Sequence, residues 1–466
     1  MLYRILHWLT ALALRWFYRD VEIVGLDRVP AHGPVLLAVN HPNAVVDAMT
    51  VIDAVPRRVT LTAKATLFDN PLVGAALRAI GAVPLRRASD EARREPRAAL
   101  DPARNRASFE ALVGALGRGA AVLFFPEGKS HSEPALAPLR TGLARVALEA
   151  RDAHGVRGIT IVPIGLVFEE KWRPRTRIVV QAGEPLLLDA WVTPPGDGAV
   201  ETLTREVDAR LRAMTLNFAS AEDAARVIGA ARLLAGAADE ARPVRVPAHS
   251  LVLEVELVRR IERARRLLRP ATEERAAAFL SRLDALREEL ARRRIASTDV
   301  TISPGLLPGG WFLLREGSVA IAAGAVALWG RVNHAIPLAI ARTIARRTSR
   351  APEDPAMHTL LLAVALLLVA YVVQTAAAWR WVGPWWALLY LATLPIAGLW
   401  DQRHRDRMRR AVERARAYLV FRRHPALQRQ LVERLAELRD EGRALEAELT
   451  AEGGTPRPDP SATHPA

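Results

Sequence analysis

Cysteine is absent from this chain of 466 residues, which removes disulfides, a thiolate nucleophile and cysteine metal sites from consideration. Lysine is nearly absent too: of 65 basic Lys and Arg residues only Lys64, Lys129 and Lys171 are lysines. All three lie in the N-terminal half, where a compact ammonium can act as a planar guanidinium does not. Acidic residues are in deficit, 50 against those 65, and the net charge is +15. Such an excess suits anionic lipid, phosphorylated substrates or nucleic acid. No nucleic-acid recognition motif accompanies the charge, and long apolar runs point away from that partner. Eleven histidines show no His-Glu-x-x-His spacing, so no metal is expected. Ser130 and His131 are adjacent, but no Gly-x-Ser-x-Gly elbow surrounds the serine, which sets aside a serine nucleophile. No long-period repeat is found.

What is present begins with an apolar helix over Leu2 to Tyr18, carrying Trp8, Trp16 and Phe17 and edged by Arg4, His7, Arg15 and Arg19. No small-residue cleavage site follows and strand-like sequence begins at Val21, so residues 1–19 read as an interfacial helix rather than a signal peptide. From 20 to 195, apolar runs at Val35–Val39, Arg58–Ala63, Ala120–Phe125, Ile159–Leu166 and Arg177–Ala182 alternate with helical patterns. That alternation predicts an α/β domain, a sheet flanked by helices. Residues 196–300 are rich in Ala, Arg, Glu and Leu and read as a helical region broken by Pro243, Pro247 and Pro270.

Residues 301–400 read as membrane-associated. A loop over Gly305–Gly310 precedes an apolar stretch, Ser318–Gly330, of about 13 residues, too short to cross a bilayer. Two uncharged runs follow, Thr359–Trp379 and Trp381–Trp400, joined at Arg380, Gly383 and Pro384 among tryptophans. They predict a transmembrane hairpin over 359–400. Arginines before it (Arg342, Arg346, Arg347, Arg350) and after it (Arg403, Arg405, Arg407, Arg409, Arg410) place both open ends on the cytoplasmic side. The expected location is thus the cytoplasmic face of the inner or plasma membrane. Residues 401–452 read as a charged helix at the membrane surface or in a coiled coil, and 453–466 as a disordered tail.

The chemistry gathers in two stretches. Asn40-His41-Pro42-Asn43-Ala44-Val45-Val46-Asp47 ends one apolar run, and Phe124-Phe125-Pro126-Glu127-Gly128-Lys129-Ser130 ends another. Each places polar groups at the carboxyl end of a buried strand, where ligands bind in open α/β sheets. A histidine can take a proton from an alcohol if a carboxylate holds its other ring nitrogen. Six positions along one helix turn through about 600° and would separate His41 from Asp47, so His41 must lie in a turn before the helix. Pro42 favours that by keeping the preceding residue extended. The basic run Lys171-Trp172-Arg173-Pro174-Arg175-Thr176-Arg177 is a candidate anion site.

Four blocks in order are far more specific than any one of them. After His41…Asp47 comes a second block, Lys64-Ala-Thr-Leu-Phe68 with Gly81-Ala-Val-Pro84-Leu-Arg86-Arg87, then a third, Phe125-Pro-Glu127-Gly128-Lys-Ser-His-Ser132, and a fourth, Val162-Pro163-Ile-Gly165. In these blocks, over roughly residues 20 to 190, the chain resembles the PlsC-type lysophosphatidate and glycerol-3-phosphate acyltransferase superfamily. The resemblance implies that His41 is the general base and that Asp47 orients it. It implies that Arg86 binds the acceptor's phosphate and that Glu127 and Gly128 shape the acceptor site, with Asn43 and Lys129 beside them. Lys64, Lys171 and Arg175 are weaker candidates for the donor side or for anions. Val162 to Gly165 would serve the donor side and strand packing. Backbone N–H groups near the first or third block would serve the oxyanion.

Two departures affect the acceptor more than the reaction. Five residues separate His41 from Asp47 where the family usually has four, as in a glycerol-phosphate acyltransferase-like subgroup, and Lys129 stands where threonine is usual. The implied activity is transfer of a fatty acyl group from acyl-CoA or acyl-carrier protein to glycerol 3-phosphate or a lysophospholipid. The thioester is a co-substrate, no cofactor is expected, and membrane lipids are the expected surroundings. The alternatives are another amphiphilic acceptor or a non-catalytic membrane tether on the same fold. Acyl length and oligomeric state have no signal in the sequence.

Overall fold

The computed structural model describes residues 2–85, 102–192, 198–237, 250–267, 270–348 and 354–451. Arg86 and Arg87, Pro243 and Pro247, and the tail from 453 onward lie outside the described residues. The chain divides into two compact units, Met1–Asn217 with Thr348–Leu360, and Phe218–Arg347 with Leu361–Ala466.

In the first unit the order is α1 (Leu2–Phe17), β1 (Asp20–Val24), β2 (Val35–Val39), α2 (Val45–Ala54), β3 (Val59–Thr60), β4 (Thr62–Lys64), α3 (Pro71–Ala79) and β5 (Val83–Leu85). Then come α4 (Pro102–Gly117), β6 (Ala121–Phe124), α5 (Gly142–Asp152), β7 (Thr160–Phe168), β8 (Arg177–Ala182), β9 (Leu186–Leu187) and α6 (Ala199–Met214). The main sheet runs β1-β8-β7-β2-β6-β3, with β9 on β7. The β1–β8, β7–β2, β2–β6 and β6–β3 pairs are parallel, and β7–β8 is antiparallel. The expected α/β sheet flanked by helices is therefore present, in mixed form.

β2 is central and every residue of Val-Leu-Leu-Ala-Val is buried, as its unbroken apolar run requires of a strand covered on both faces. Leu36, Leu112, Leu116, Leu143, Ile159, Ile161 and Leu203 build the core of one face. The predicted strand over Arg58–Ala63 is two strands in two sheets. The chain leaves β6 after Thr60 to pair β4 with β5, and the Thr62 hydroxyl donates to the Leu123 carbonyl at 2.8 Å. At the amino edge of the sheet the Arg57 guanidinium holds the carbonyls of Pro30, Gly33 and Gly119 at 2.7, 3.1 and 2.6 Å. Gly165 in β7 tolerates no side chain, because a Cβ there would run into the Met214 carbonyl at the end of α6.

The second unit is helical: α7 (Ala221–Ala237), α8 (Leu251–Leu267), α9 (Pro270–Arg293), α10 (Leu306–Thr348), α11 (Asp354–Val382), α12 (Pro384–Arg423) and α13 (Pro425–Ala451). Leu233, Phe279, Leu283, Leu290, Phe421, Leu431 and Leu438 join α7, α9, α12 and α13 in one core. The C-terminal charged segment thus packs on the helical region, flanked by ion pairs such as Arg434–Glu289.

Two features correct the sequence reading. The stretch taken as too short to cross a bilayer, with its preceding loop, belongs to one helix of 43 residues. Arg331, just past that stretch, does not end the helix, because Asp401 takes its guanidinium at 3.2 and 3.3 Å, and Pro308 sits in the first turn where no N–H is missed. Second, the apolar arm after Gly383 and the following charged sequence are one helix of 40 residues, ended at His424 before Pro425. Among the described residues, two helices are long and apolar enough to cross a membrane by length and composition, Leu306–Thr348 and His358–Val382. Between α11 and α12 stands Gly383 at φ 85°, with Pro384 opening the next helix.

Candidate active site

The carboxyl ends of three neighbouring strands, β6, β2 and β7, form the site, because parallel pairing brings the residues that follow them to one edge. His41 follows β2, Glu127 follows β6 and Lys171 follows β7. Asn40 secures the edge by standing in for a strand residue, its carboxamide donating to the Leu166 carbonyl at 3.0 Å and accepting from the Leu166 N–H at 2.7 Å.

His41 lies outside any helix, as the dyad requires, although Pro42 does not open α2; three turn residues intervene. The turn carries strain at Ala44, a non-glycine residue at φ 48°. The Ser130 hydroxyl supports it by accepting the Ala44 N–H at 2.9 Å. With the helix begun at Val45, Asp47 falls in its first turn and turns back. His41 Nδ1 meets Asp47 Oδ2 at 2.9 Å, and the Asn43 N–H donates to the same oxygen at 2.7 Å. Asp47 is 0 % exposed and its Oδ1 has no hydrogen-bond partner. Burial raises the Asp47 pKa above the usual carboxylate value, opposed by His41, Asn43 and the Lys171 charge.

Every other handle on His41 is also held. The backbone N–H donates to Glu127 Oε1 at 2.6 Å, and its carbonyl accepts the His131 N–H at 3.2 Å. The ring stacks on Phe125 with centroids 3.9 Å apart and planes 12° from parallel. With Nδ1 committed to Asp47, Nε2 is the nitrogen left for chemistry, and the side chain keeps 12 % exposure.

Glu127 is buried and fully engaged. Besides the His41 N–H it accepts the Ala137 N–H at 2.9 Å and the His131 ring through Nε2. His131 Nδ1 accepts the Glu133 N–H at 3.2 Å, so the neutral ring's proton sits on Nε2, facing the carboxylate. In this arrangement Glu127 braces His41 from within the protein. Gly128 closes the Phe125–Gly128 turn with its N–H on the Phe125 carbonyl at 3.0 Å and φ 76°, a backbone state that favours glycine. Lys129, next to it, is exposed.

Asn43 is 0 % exposed, and its carboxamide donates to the Tyr18 hydroxyl at 3.0 Å and the Lys171 carbonyl at 3.1 Å. Arg175 does not present its guanidinium to an anion; it holds the carbonyls of Arg15 and Tyr18 at 3.2 and 3.0 Å and so closes the C-terminus of α1. Lys171 points inward, with Nζ 3.4 Å from the His131 carbonyl. Lys64 ends β4 opposite Leu85, apart from the dyad's strands in the smaller sheet. No His, Asp and Glu cluster suited to a metal occurs among the described residues. Sequence reasoning missed Tyr18 and the bracing role of His131. The histidine's place four residues after Glu127 was the available signal; Tyr18 had none.

Comparison with known proteins finds the following similarities. Residues 20–167 match the family model described as Acyltransferase. The chain is 25% identical over 256 residues to an uncharacterized acyltransferase of Schizosaccharomyces pombe, covering 38% of each. It is 35% identical over 85 residues to glycerol-3-phosphate O-acyltransferase 2 of Saccharomyces cerevisiae, 18% of this chain and 11% of the relative. It is 27% identical over 158 residues to a chloroplastic 1-acyl-sn-glycerol-3-phosphate acyltransferase of Arabidopsis thaliana, 34% and 38% respectively. The crystal structure of the 1-acyl-sn-glycerophosphate acyltransferase PlsC from Thermotoga maritima aligns with TM-score 0.35 and 16% identity, over 46% of this chain and 78% of that one. Residues 20–167 are thus similar to the acyltransferase family. It spans well under half the length of these curated relatives.

Proposed function

We propose that this protein is a membrane-bound O-acyltransferase that moves a fatty acyl group from acyl-CoA or acyl-carrier protein to glycerol 3-phosphate or 1-acylglycerol 3-phosphate in phospholipid synthesis. The observation that carries the reading is the His41–Asp47 pair at the carboxyl edge of the sheet, with Nε2 left for the acceptor. The acceptor hydroxyl gives its proton to Nε2 as its oxygen attacks the thioester carbonyl. The C–S bond then breaks, and the imidazolium returns the proton to the departing thiolate. Asp47 fixes the tautomer and stabilises the imidazolium, as a carboxylate does in hydrolase triads. Arg86 is proposed to hold the acceptor phosphate by paired hydrogen bonds, with Lys129 adding a point charge.

The apolar helices α10 and α11 support membrane attachment, and, with the proposed hairpin over 359–400, the arginines at its open ends favour the cytoplasmic face. A protease-accessible tag beside Gly383 is then shielded from that side. The activity test supplies a labelled acyl thioester and a panel of acceptors to membranes containing the protein. Transfer to glycerol 3-phosphate or its 1-acyl derivative that disappears in His41→Ala supports the reading. Full transfer by that variant removes it and favours the non-catalytic tether.

A further inference from the structure

We infer that Tyr18, the residue following α1, is a positioning residue for the dyad, acting through Asn43 on Asp47; this rests on the catalytic reading above. The Tyr18 hydroxyl accepts from the Asn43 carboxamide at 3.0 Å and donates to the Lys171 carbonyl at 3.0 Å. That carbonyl also accepts from the Asn43 carboxamide nitrogen at 3.1 Å, closing a triangle. With its side-chain nitrogen held between two acceptors, Asn43 is fixed in place, and its backbone N–H is aimed at Asp47 Oδ2 at 2.7 Å. The same oxygen orients His41.

Tyr18 is itself immobile. It is 1 % exposed, with its ring against Phe17 and Phe168 at centroid separations of 4.9 and 5.8 Å. The Arg175 N–H and guanidinium hold the backbone on either side of it. Burial and the nearby Asp47 charge both push the Tyr18 pKa up, so the hydroxyl remains a donor throughout the working range. The chain from α1 to the imidazole therefore consists of fixed hydrogen bonds between buried groups, which is what geometric precision at a base requires.

Tyr18→Phe removes the hydroxyl and keeps the ring, while Asn43 retains the Lys171 carbonyl. Expected is a fall in kcat of about three- to tenfold with KM for donor and acceptor little changed. The acid limb of the kcat profile should move to lower pH by about half a unit, because a less well aimed Asp47 stabilises the imidazolium less. Carbethoxylation of His41, followed by peptide mass spectrometry across pH, should show the same shift without turnover. Asn43→Ser, which cannot reach Tyr18, reads the link from its other end and should shift the limb likewise. Wild-type kcat and limb in Tyr18→Phe overturn the inference, as does a loss confined to KM. If Tyr18→Phe does not fold, an unshifted limb in Asn43→Ser overturns it. His41→Ala is measured beside them: its activity decides the catalytic reading separately.

Discussion

In the first unit the buried carboxylates Asp47 and Glu127 face imidazoles, whereas in the second unit Asp401 and Glu316 each lie between two guanidiniums. Asp401 sits between Arg331 and Arg405, and Glu316 between Arg315 and Arg407. A guanidinium is always charged, so the carboxylates of the second unit are neutralised permanently and serve packing. An imidazole can take or give a proton near neutral pH, as proposed for His41, while Glu127 and His131 form a brace. The two environments bury the same functional group. A guanidinium partner allows only a brace, whereas an imidazole partner admits either.

The sharpest break of this contrast is His41→Ala, expected to lower kcat at least about a thousandfold while leaving folded protein, as thioester turnover and a thermal melt would show. Next is Asp47→Asn, with a loss of about a hundredfold or more. Because burial raises the Asp47 pKa, the folded state binds this proton more tightly than the unfolded state and loses stability as pH rises through that pKa. The variant should therefore melt higher than wild type at neutral pH, and its advantage should shrink on acidification. An advantage that grows on acidification contradicts the assignment. Glu127→Ala leaves the His41 N–H without its acceptor and is expected to remove about 1–3 kcal/mol of stability with a smaller loss of kcat than Asp47→Asn. Smallest is Asp401→Ala, which strands two half-exposed arginines. It should cost about 1–2 kcal/mol and leave kcat per folded molecule intact. A catalytic defect there would erase the distinction between the two units.

Much of the first unit was legible because its information is local. An uninterrupted apolar run such as Val35–Val39 is a strand for a reason contained in five residues, and both polar blocks end such runs. His41 and Asp47 are six positions apart and Glu127 and His131 four, within reach of spacing arguments. Tyr18 and Asn43 are 25 positions apart, and Asn43 and Lys171 128, so no pattern recorded that triangle. The internal partners of Glu127 and Asn43 were hidden for a related cause: a polar residue in a motif looks like a substrate ligand until its partners are known. The length of α10 was hidden likewise, since the acid that neutralises Arg331 lies 70 residues further on.

α12 runs over 40 residues, about 60 Å, with Pro395 inside its apolar half. Beyond Pro395 the helix carries the charged segment to Phe421 in one register. Adding a single residue near Arg410 would swing Phe421 by about 100° out of its bundle, while seven would return it nearly to phase. Sequence length in that stretch is accordingly a rotational setting, and insertions there should be tolerated by period rather than by size.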